Sequence, residues 1–329
     1  MNLIELQIIH KPKLLDQFRY LIRTKHYSIR TENTYFNWVK RFIFFHDKQH
    51  PATLNDNAVN KFLTHLAVVE NVSGSTQNQA LSALKLFYKE ILKKPLIFLE
   101  NYQIAKKTIT VPVVFTKNEA ARVINLLDGI HRLMILLMYG SGLRLMECVR
   151  LRVKDIDFES KKIFVRSGKG NKDRVTILPQ SVVSDLHKQL KKVKIIHEQD
   201  LEQGYGRTYL PFALDKKYPS AGKELGWQYV FPSSKLSVDP RSGLKRRHHI
   251  SESMLQKAVK KTIKQSGINK MGSPHTFRHS FATHLLQSGY DIPTVQKLLG
   301  HTDVRTTMVY LHVMEKDKIE VVSPADMIE

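Results

Sequence analysis

The chain changes character near residue 95, and that change limits its fold more than any other feature. Upstream, residues 12 to about 94 carry apolar side chains at helical spacing. Tyr35, Trp38, Val39, Phe42 and Phe45 form one stripe, with Lys40 and Arg41 off it. Leu81, Leu84, Phe87, Tyr88 and Ile91 form another, after a Ser-Gly-Ser turn. Thr53 and Asn57 stand where a helix would start after Pro51. These patterns predict four short helices in a small bundle, aromatic inside and basic outside. Pro95 and the stretch Ala105 to Val114, β-branched and proline-bearing, then read as an extended boundary. A capping box, Thr116 with Glu119 three residues on, opens a second domain.

That second domain reads as mixed. Leu133 to Tyr139 predicts a buried helix ending at Gly140-Ser141-Gly142. Lys162 to Val165 and Arg174 to Leu178 are β-branched runs separated by Ser-Gly-Lys-Gly-Asn-Lys-Asp, the chemistry of a hairpin turn. Helices are expected from Ser181, from Glu252 to Lys264, and three times after Pro274, while 201 to 250 reads as irregular. The expectation is a mainly α protein with a small β-sheet. Its parts would be a helical domain over 1–104, a linker at 105–115 and a mixed α/β domain over 116–329.

Composition narrows the function. Hydrophobic residues make up 42% of the 329, so a packed protein is expected. Lysine and arginine number 52 against 30 acidic residues, a formal net charge of +22. A surplus of that size calls for an anionic partner, and phosphate-bearing nucleic acid fits best. Cys148 is the single cysteine, which excludes an intramolecular disulfide and a cysteine-rich zinc site. Glu5 and His10 interrupt the only apolar run near the N-terminus, unlike a signal peptide, and Leu133 to Tyr139 is too short to cross a bilayer. A cytoplasmic protein without a membrane partner is the expectation.

The chemistry concentrates between residues 272 and 312. Ser273 and Pro274 read as N-cap and first residue of a helix, and His275 and Arg278 share a face of its first turns, where the helix dipole favours phosphate. Gly300 ends a short amphipathic helix and presents His301; Tyr310 follows in the apolar run Thr-Met-Val-Tyr-Leu. Singly, each has a bland reading: a satisfied structural histidine, a core tyrosine. His275 and His279, four apart, have metal-ligand spacing, yet Thr-Phe-Arg between them lacks the needed glutamate and brings a repelling arginine. Gly168-Lys169-Gly170 is no phosphate loop, because Ile163 replaces its first glycine and Gly170 its Ser/Thr. No metal, nucleotide or other cofactor is expected.

Taken together, Arg144 in Gly-Ser-Gly-Leu-Arg, Lys169 in the hairpin, His275-x-x-Arg278, Leu-Gly-His301 and Tyr310 resemble the tyrosine recombinase (phage-type integrase) family in order and approximate spacing. The resemblance spans both domains. It implies a helical core-binding domain and a mixed catalytic domain clamped around DNA, acting through a 3′-phosphotyrosyl bond to Tyr310. Arg144 and Arg278 would hold the phosphate oxygens, since guanidinium forks match them and stay charged. His275 would assist proton transfer, and His301 would bond a phosphate oxygen. Lys169 corresponds to the family's general acid, although Lys172 and Arg174 lie close enough to leave open which base is which. Glu147, one turn after Arg144, either anchors that arginine or lies on the helix surface. Strand exchange between two sites, with two cleavages in each, implies a homotetramer on DNA, and the tail 313–329 is available to pack on a neighbouring subunit.

Seven aromatic residues crowd into 201–231: Tyr205, Tyr209, Phe212, Tyr218, Trp227, Tyr229 and Phe231. Lys235, Arg241, Lys245, Arg246, Arg247, His248 and His249 follow. Phe212 and Phe231 are expected in a small satellite core. The block as a whole resembles that of integron integrases, which act on folded single-stranded sites with extruded bases. Trp227, His248 and His249 are the expected base contacts, since aromatic faces beside cations are what unpaired bases stack on. The expectation is a nucleoid-associated bacterial recombinase that moves gene cassettes. Competing classes are a recombinase of duplex sites, a type IB topoisomerase-like enzyme and a DNA binder without catalysis.

Overall fold

A computed structural model describes residues 12–96, 112–166, 173–211, 214–240 and 242–317, with the side chains of 312–317 excluded. The chain divides into two compact units, 1–109 and 110–329.

The first unit is a bundle of α1 (Leu14–Thr24), α2 (Ile29–Phe45), α3 (Asp56–Val68) and α4 (Gly74–Glu90). Polar side chains set three of the helix starts. Ser28, Asn55 and Ser73 accept the backbone N–H of Thr31, Ala58 and Thr76, satisfying donors that helix geometry leaves open. Phe18, Ile22, Trp38, Val39, Phe42, Phe62, Leu63, Leu84, Phe87 and Tyr88 fill the core, each large apolar group contributing about 1.5–3 kcal/mol by leaving water. The expected stripes are present, except that Phe45 stays 36% exposed at the end of α2. Pro51–Thr53 forms a separate 3₁₀ turn, so α3 starts at Asp56 rather than at the turn itself.

The second unit starts at the expected capping box. Thr116 Oγ1 accepts the Glu119 N–H at 3.1 Å, and the Glu119 carboxylate accepts the Thr116 N–H at 2.7 Å. Helix α5 (Lys117–Asn125) precedes α6 (Gly129–Ser141), which buries Leu133, Met134, Ile135, Leu137 and Met138. Gly142 closes α6 with φ +62°. A side chain there would be strained, and its Cβ would lie 2.5 Å from the Phe281 ring. The chain therefore reverses tightly into α7 (Leu145–Val149), with Arg144 at its N-cap.

A three-stranded antiparallel sheet follows in the order β1 (Ile156–Asp157), β2 (Lys162–Val165), β3 (Arg174–Ile177). The hairpin was legible in the sequence; two-residue β1 was too short to read. Helix α8 (Val183–Glu202) leads to a short α9 (Leu214–Lys217) and then to a second, two-stranded sheet, β4 (Pro232–Val238) with β5 (Lys245–His249). This sheet corrects the irregular reading of 201–250. Its strands lack apolar alternation because charge pairing holds them: half-buried Arg247 grips Asp200 of α8 at 2.6 and 2.7 Å, and Arg246 faces Asp239 at 3.6 Å, this second pair buried. Phe231 belongs to the main core of the unit rather than to a satellite, while Phe212 lies outside the described residues. Helices α10 (Glu252–Gln265), α11 (Pro274–Gln287), α12 (Ile292–Leu299) and α13 (Arg305–Asp317) complete the unit. Helix α11 runs through its centre, with ten of its fourteen residues buried. Among the described residues no helix is long and apolar enough to cross a membrane.

Candidate active site

Helix α11 begins as its sequence predicts, with Ser273 as N-cap and Pro274 in the first turn. His275 lies on that turn, and Arg278 follows on the buried side. Only 3% exposed, Arg278 donates to the carbonyl oxygens of Gly142 and of Leu299, the latter at 2.7 Å. A third donation, at 3.1 Å, goes to His301 Nε2. Because arginine only donates, His301 Nε2 must accept, and its Nδ1 donates to Thr307 Oγ1 at 3.0 Å. A hydrogen bond from His301 Nε2 to a phosphate oxygen thus requires the other tautomer or its protonated form. Gly300, φ +64°, makes the left-handed turn that delivers His301 from the end of α12.

Arg144 reaches the same place from α7. Its guanidinium donates to Glu147 at 2.7 Å and to the Gly300 carbonyl at 3.4 Å. Glu147 is the hub: it also accepts a two-pronged pair from Arg174 at 2.8 and 2.7 Å, and it lies 3.9 Å from Arg278. Burial alone would raise its pKa, but hydrogen bonds and charge from Arg174 and Arg144 prevail and hold it at about 2. The anchoring reading of Glu147 is therefore the observed one. Arg174, left open in the sequence as a possible acid, is committed to Glu147 and to the Leu298 carbonyl, 2.9 Å from its Nε. Lys169 and Lys172 lie outside the described residues.

Tyr310, on α13, is 3% exposed among Phe281, Leu299 and Val295. Its ring lies nearly parallel to that of His301, centroids 6.3 Å apart. Burial raises the pKa of its hydroxyl, while Arg278 and Arg144 pull it back down. The hydroxyl meets His279 Nδ1 at 2.9 Å, a contact that sequence reasoning missed because it had weighed His279 only as a metal partner of His275. Burial, with help from the neighbouring cations, holds His279 at about 4 and His301 at about 3, and lowers His275 as well. Burial and Arg144 bring Arg278 to about 9, still protonated at neutral pH. Two guanidiniums and the neutral imidazoles of His279 and His301 thus surround one phenol. Such a set can hold an anion with two localised charges and leave proton acceptors beside a nucleophile.

The residues proposed to contact bases lie elsewhere in this unit. Trp227 is half-buried in a 3₁₀ turn, with Lys154 Nζ 2.7 Å from its ring centroid and the Arg152 guanidinium at 5.5 Å. Buried Arg152 also donates to the carbonyls of Tyr209 and Trp227, pinning the block to the turn before β1. His248 and His249 are half-buried on β5; His249 Nδ1 lies 2.8 Å from the Ile250 carbonyl, and its ring meets Tyr229 edge-on. Burial lowers the pKa of both.

Comparison with known proteins identifies the family. Residues 113–317 match the phage integrase family, and residues 14–97 match the phage integrase N-terminal SAM-like domain. The chain belongs to the tyrosine recombinases of the phage integrase family. An integrase/recombinase of Escherichia coli is 48% identical over 95% of this chain and 93% of its own length. Tyrosine recombinase XerA of Pyrococcus horikoshii is 29% identical over 96% and 94%. In fold, the chain resembles the XerH recombinase bound to its palindromic difH substrate, with a TM-score of 0.60 at 20% identity, covering 93% of this chain and 84% of that one. It also resembles a λ integrase dimer bound to a core site, with a TM-score of 0.60 at 15% identity over 96% and 98%.

Proposed function

We propose that this recombinase cleaves and rejoins DNA through a 3′-phosphotyrosyl bond at Tyr310. The observation that carries the reading is the convergence of Arg144, Arg278, His301 and Tyr310 on the turn at Gly300. A phosphodiester attacked by an oxygen gains negative charge in its five-coordinate state, and preorganised guanidiniums stabilise that charge without reorganising. Attack by Tyr310 Oη forms the oxygen–phosphorus bond and expels the 5′ oxygen, which takes a proton from Lys169 as general acid. Glu147 keeps Arg144 and Arg174 in place, and His275, on the first turn of α11, assists proton transfer. The covalent bond conserves the energy of the broken linkage, so neither metal nor ATP is needed. The helical bundle over 1–104 serves as the core-binding domain, 105–115 as linker and 116–329 as catalytic domain. Four protomers assemble on two sites, on the DNA of the bacterial nucleoid. The test is a nicked suicide duplex incubated with EDTA and without nucleotide. A covalent protein–DNA band is expected, and its absence would leave a DNA binder or a metal-dependent enzyme.

The finer form of the proposal is cassette recombination at folded single-stranded sites. It is supported by Trp227, a half-buried aromatic with cations on its face, and by His248 and His249 on β5, where His249 meets the ring of Tyr229 two residues on from Trp227. An extruded base would displace Lys154 and stack on the indole, worth about 1–3 kcal/mol. Trp227→Ala should weaken binding of a hairpin with extrahelical bases by that amount while sparing perfect duplex, in titrations at one salt concentration. Equal weakening of both substrates makes Trp227 a packing residue and leaves the enzyme a recombinase of duplex sites.

A further inference from the structure

His279 stands outside the set that the mechanism above uses, yet it holds the reacting atom. Its Nδ1 lies 2.9 Å from Tyr310 Oη, within the roughly 2.6–3.2 Å at which a base activates a nucleophile. In the tautomer with the hydrogen on Nε2, Nδ1 carries the lone pair and accepts the phenol's proton. The other two histidines are placed differently. Both ring nitrogens of His301 are engaged, by Arg278 and Thr307. His275 lies a full turn earlier on α11, and among the described residues only His279 hydrogen-bonds the Tyr310 hydroxyl. We propose that His279 accepts the proton of Tyr310 during strand cleavage, an inference that rests on Tyr310 being the nucleophile.

The step balances without a further reactant. The Oη–phosphorus bond forms, the Oη–H bond breaks, and the proton moves to His279 Nδ1. The phosphorus–O5′ bond breaks, and the 5′ oxygen is protonated by the general acid. On religation the proton returns from His279 to Oη. Burial and the neighbouring His275 and Arg278 hold the pKa of His279 at about 4, so the acceptor is unprotonated at neutral pH. So weak a base leaves the resting phenol intact. Once Oη bonds to phosphorus its proton becomes strongly acidic, and transfer then runs downhill. The arrangement keeps Tyr310 protonated and docked until a phosphate is in place.

The measurement is single-turnover formation of the covalent complex on a suicide duplex from pH 6 to 9, with His279→Ala, His279→Asn and Tyr310→Phe. His279→Ala should lose on the order of 10²-fold or more at pH 7. Its rate should climb with pH far more steeply than the parent's, since hydroxide then takes the proton, and added imidazole should restore part of it. His279→Asn keeps an oxygen near the place of Nδ1 but cannot take a proton, so it should show the same steep profile with duplex binding unchanged. Two outcomes overturn the proposal: His279→Ala within about threefold of the parent, or His279→Asn at the parental rate with the parental pH profile, which would make His279 a hydrogen-bonding prop. An adduct formed by Tyr310→Phe would instead remove the nucleophile assignment itself, whatever His279 does.

Discussion

Helix α11 carries two histidines that each hold a tyrosine hydroxyl through Nδ1: His279 with Tyr310 at 2.9 Å, and His284 with Tyr139 at 2.8 Å. Burial raises the pKa of both phenols and lowers that of both imidazoles. The pairs differ in what faces them. Arg278 and Arg144 pull the Tyr310 pKa back down, while burial is the single cause acting on Tyr139. A histidine contact therefore does not make a nucleophile. In the proposed mechanism the guanidinium field does, because it would stabilise the phenolate and the phosphate under attack.

Removing that field should turn Tyr310 into a second Tyr139. Arg144→Lys and Arg278→Lys retain a charge but lose the planar fork, and each should cut strand cleavage by on the order of 10²–10³. The rate of adduct formation at saturating DNA checks this, and near-parental cleavage would take the residue out of the clamp.

Glu147→Gln should loosen the field rather than remove it, so its effect on cleavage should be smaller than that of either arginine change. Stability sharpens the point. The folded carboxyl, at about 2, is depressed below its unfolded value, so its contribution is present above roughly pH 4.5 and is lost as pH falls toward 2. Glu147→Gln should cost up to about 3 kcal/mol at pH 7, with the gap to the parent closing on acidification. Denaturant melts at pH 7 and pH 3 read it. A gap that does not change with pH would mean that Glu147 is not the charged hub.

Much of this site was legible because its chemistry depends on residue type and order. Arg144, His275, Arg278, His301 and Tyr310 were named because their order and approximate spacing resemble the tyrosine recombinase pattern, and the structure gathers Arg144, Arg278, His301 and Tyr310 around one turn. The hairpin and the capped helices were legible for the same local reasons, β-branched runs and capping side chains. What could not be read was contact across the fold. His279 faces α13 only because α11 is buried on nearly every side, which erases the polar stripe that would have marked a face. Arg174 looked like one of three interchangeable bases until the register of β3 brought it onto Glu147. Strand β5, Lys-Arg-Arg-His-His, has no apolar alternation, and its partners Asp200 and Asp239 are distant or charged, so no periodicity announced it.

Tyr310, and not the similarly paired Tyr139, is the side chain proposed to carry the DNA. Trapping the parent on a suicide duplex, digesting the complex and sequencing the nucleotide-bearing peptide by mass spectrometry tests it most directly. A 3′-phosphonucleotide on Tyr310 is expected, with no adduct from Tyr310→Phe despite normal duplex binding and an adduct from Tyr139→Phe at nearly the parental rate. A nucleotide on any other side chain, or cleavage that survives in Tyr310→Phe, would contradict it.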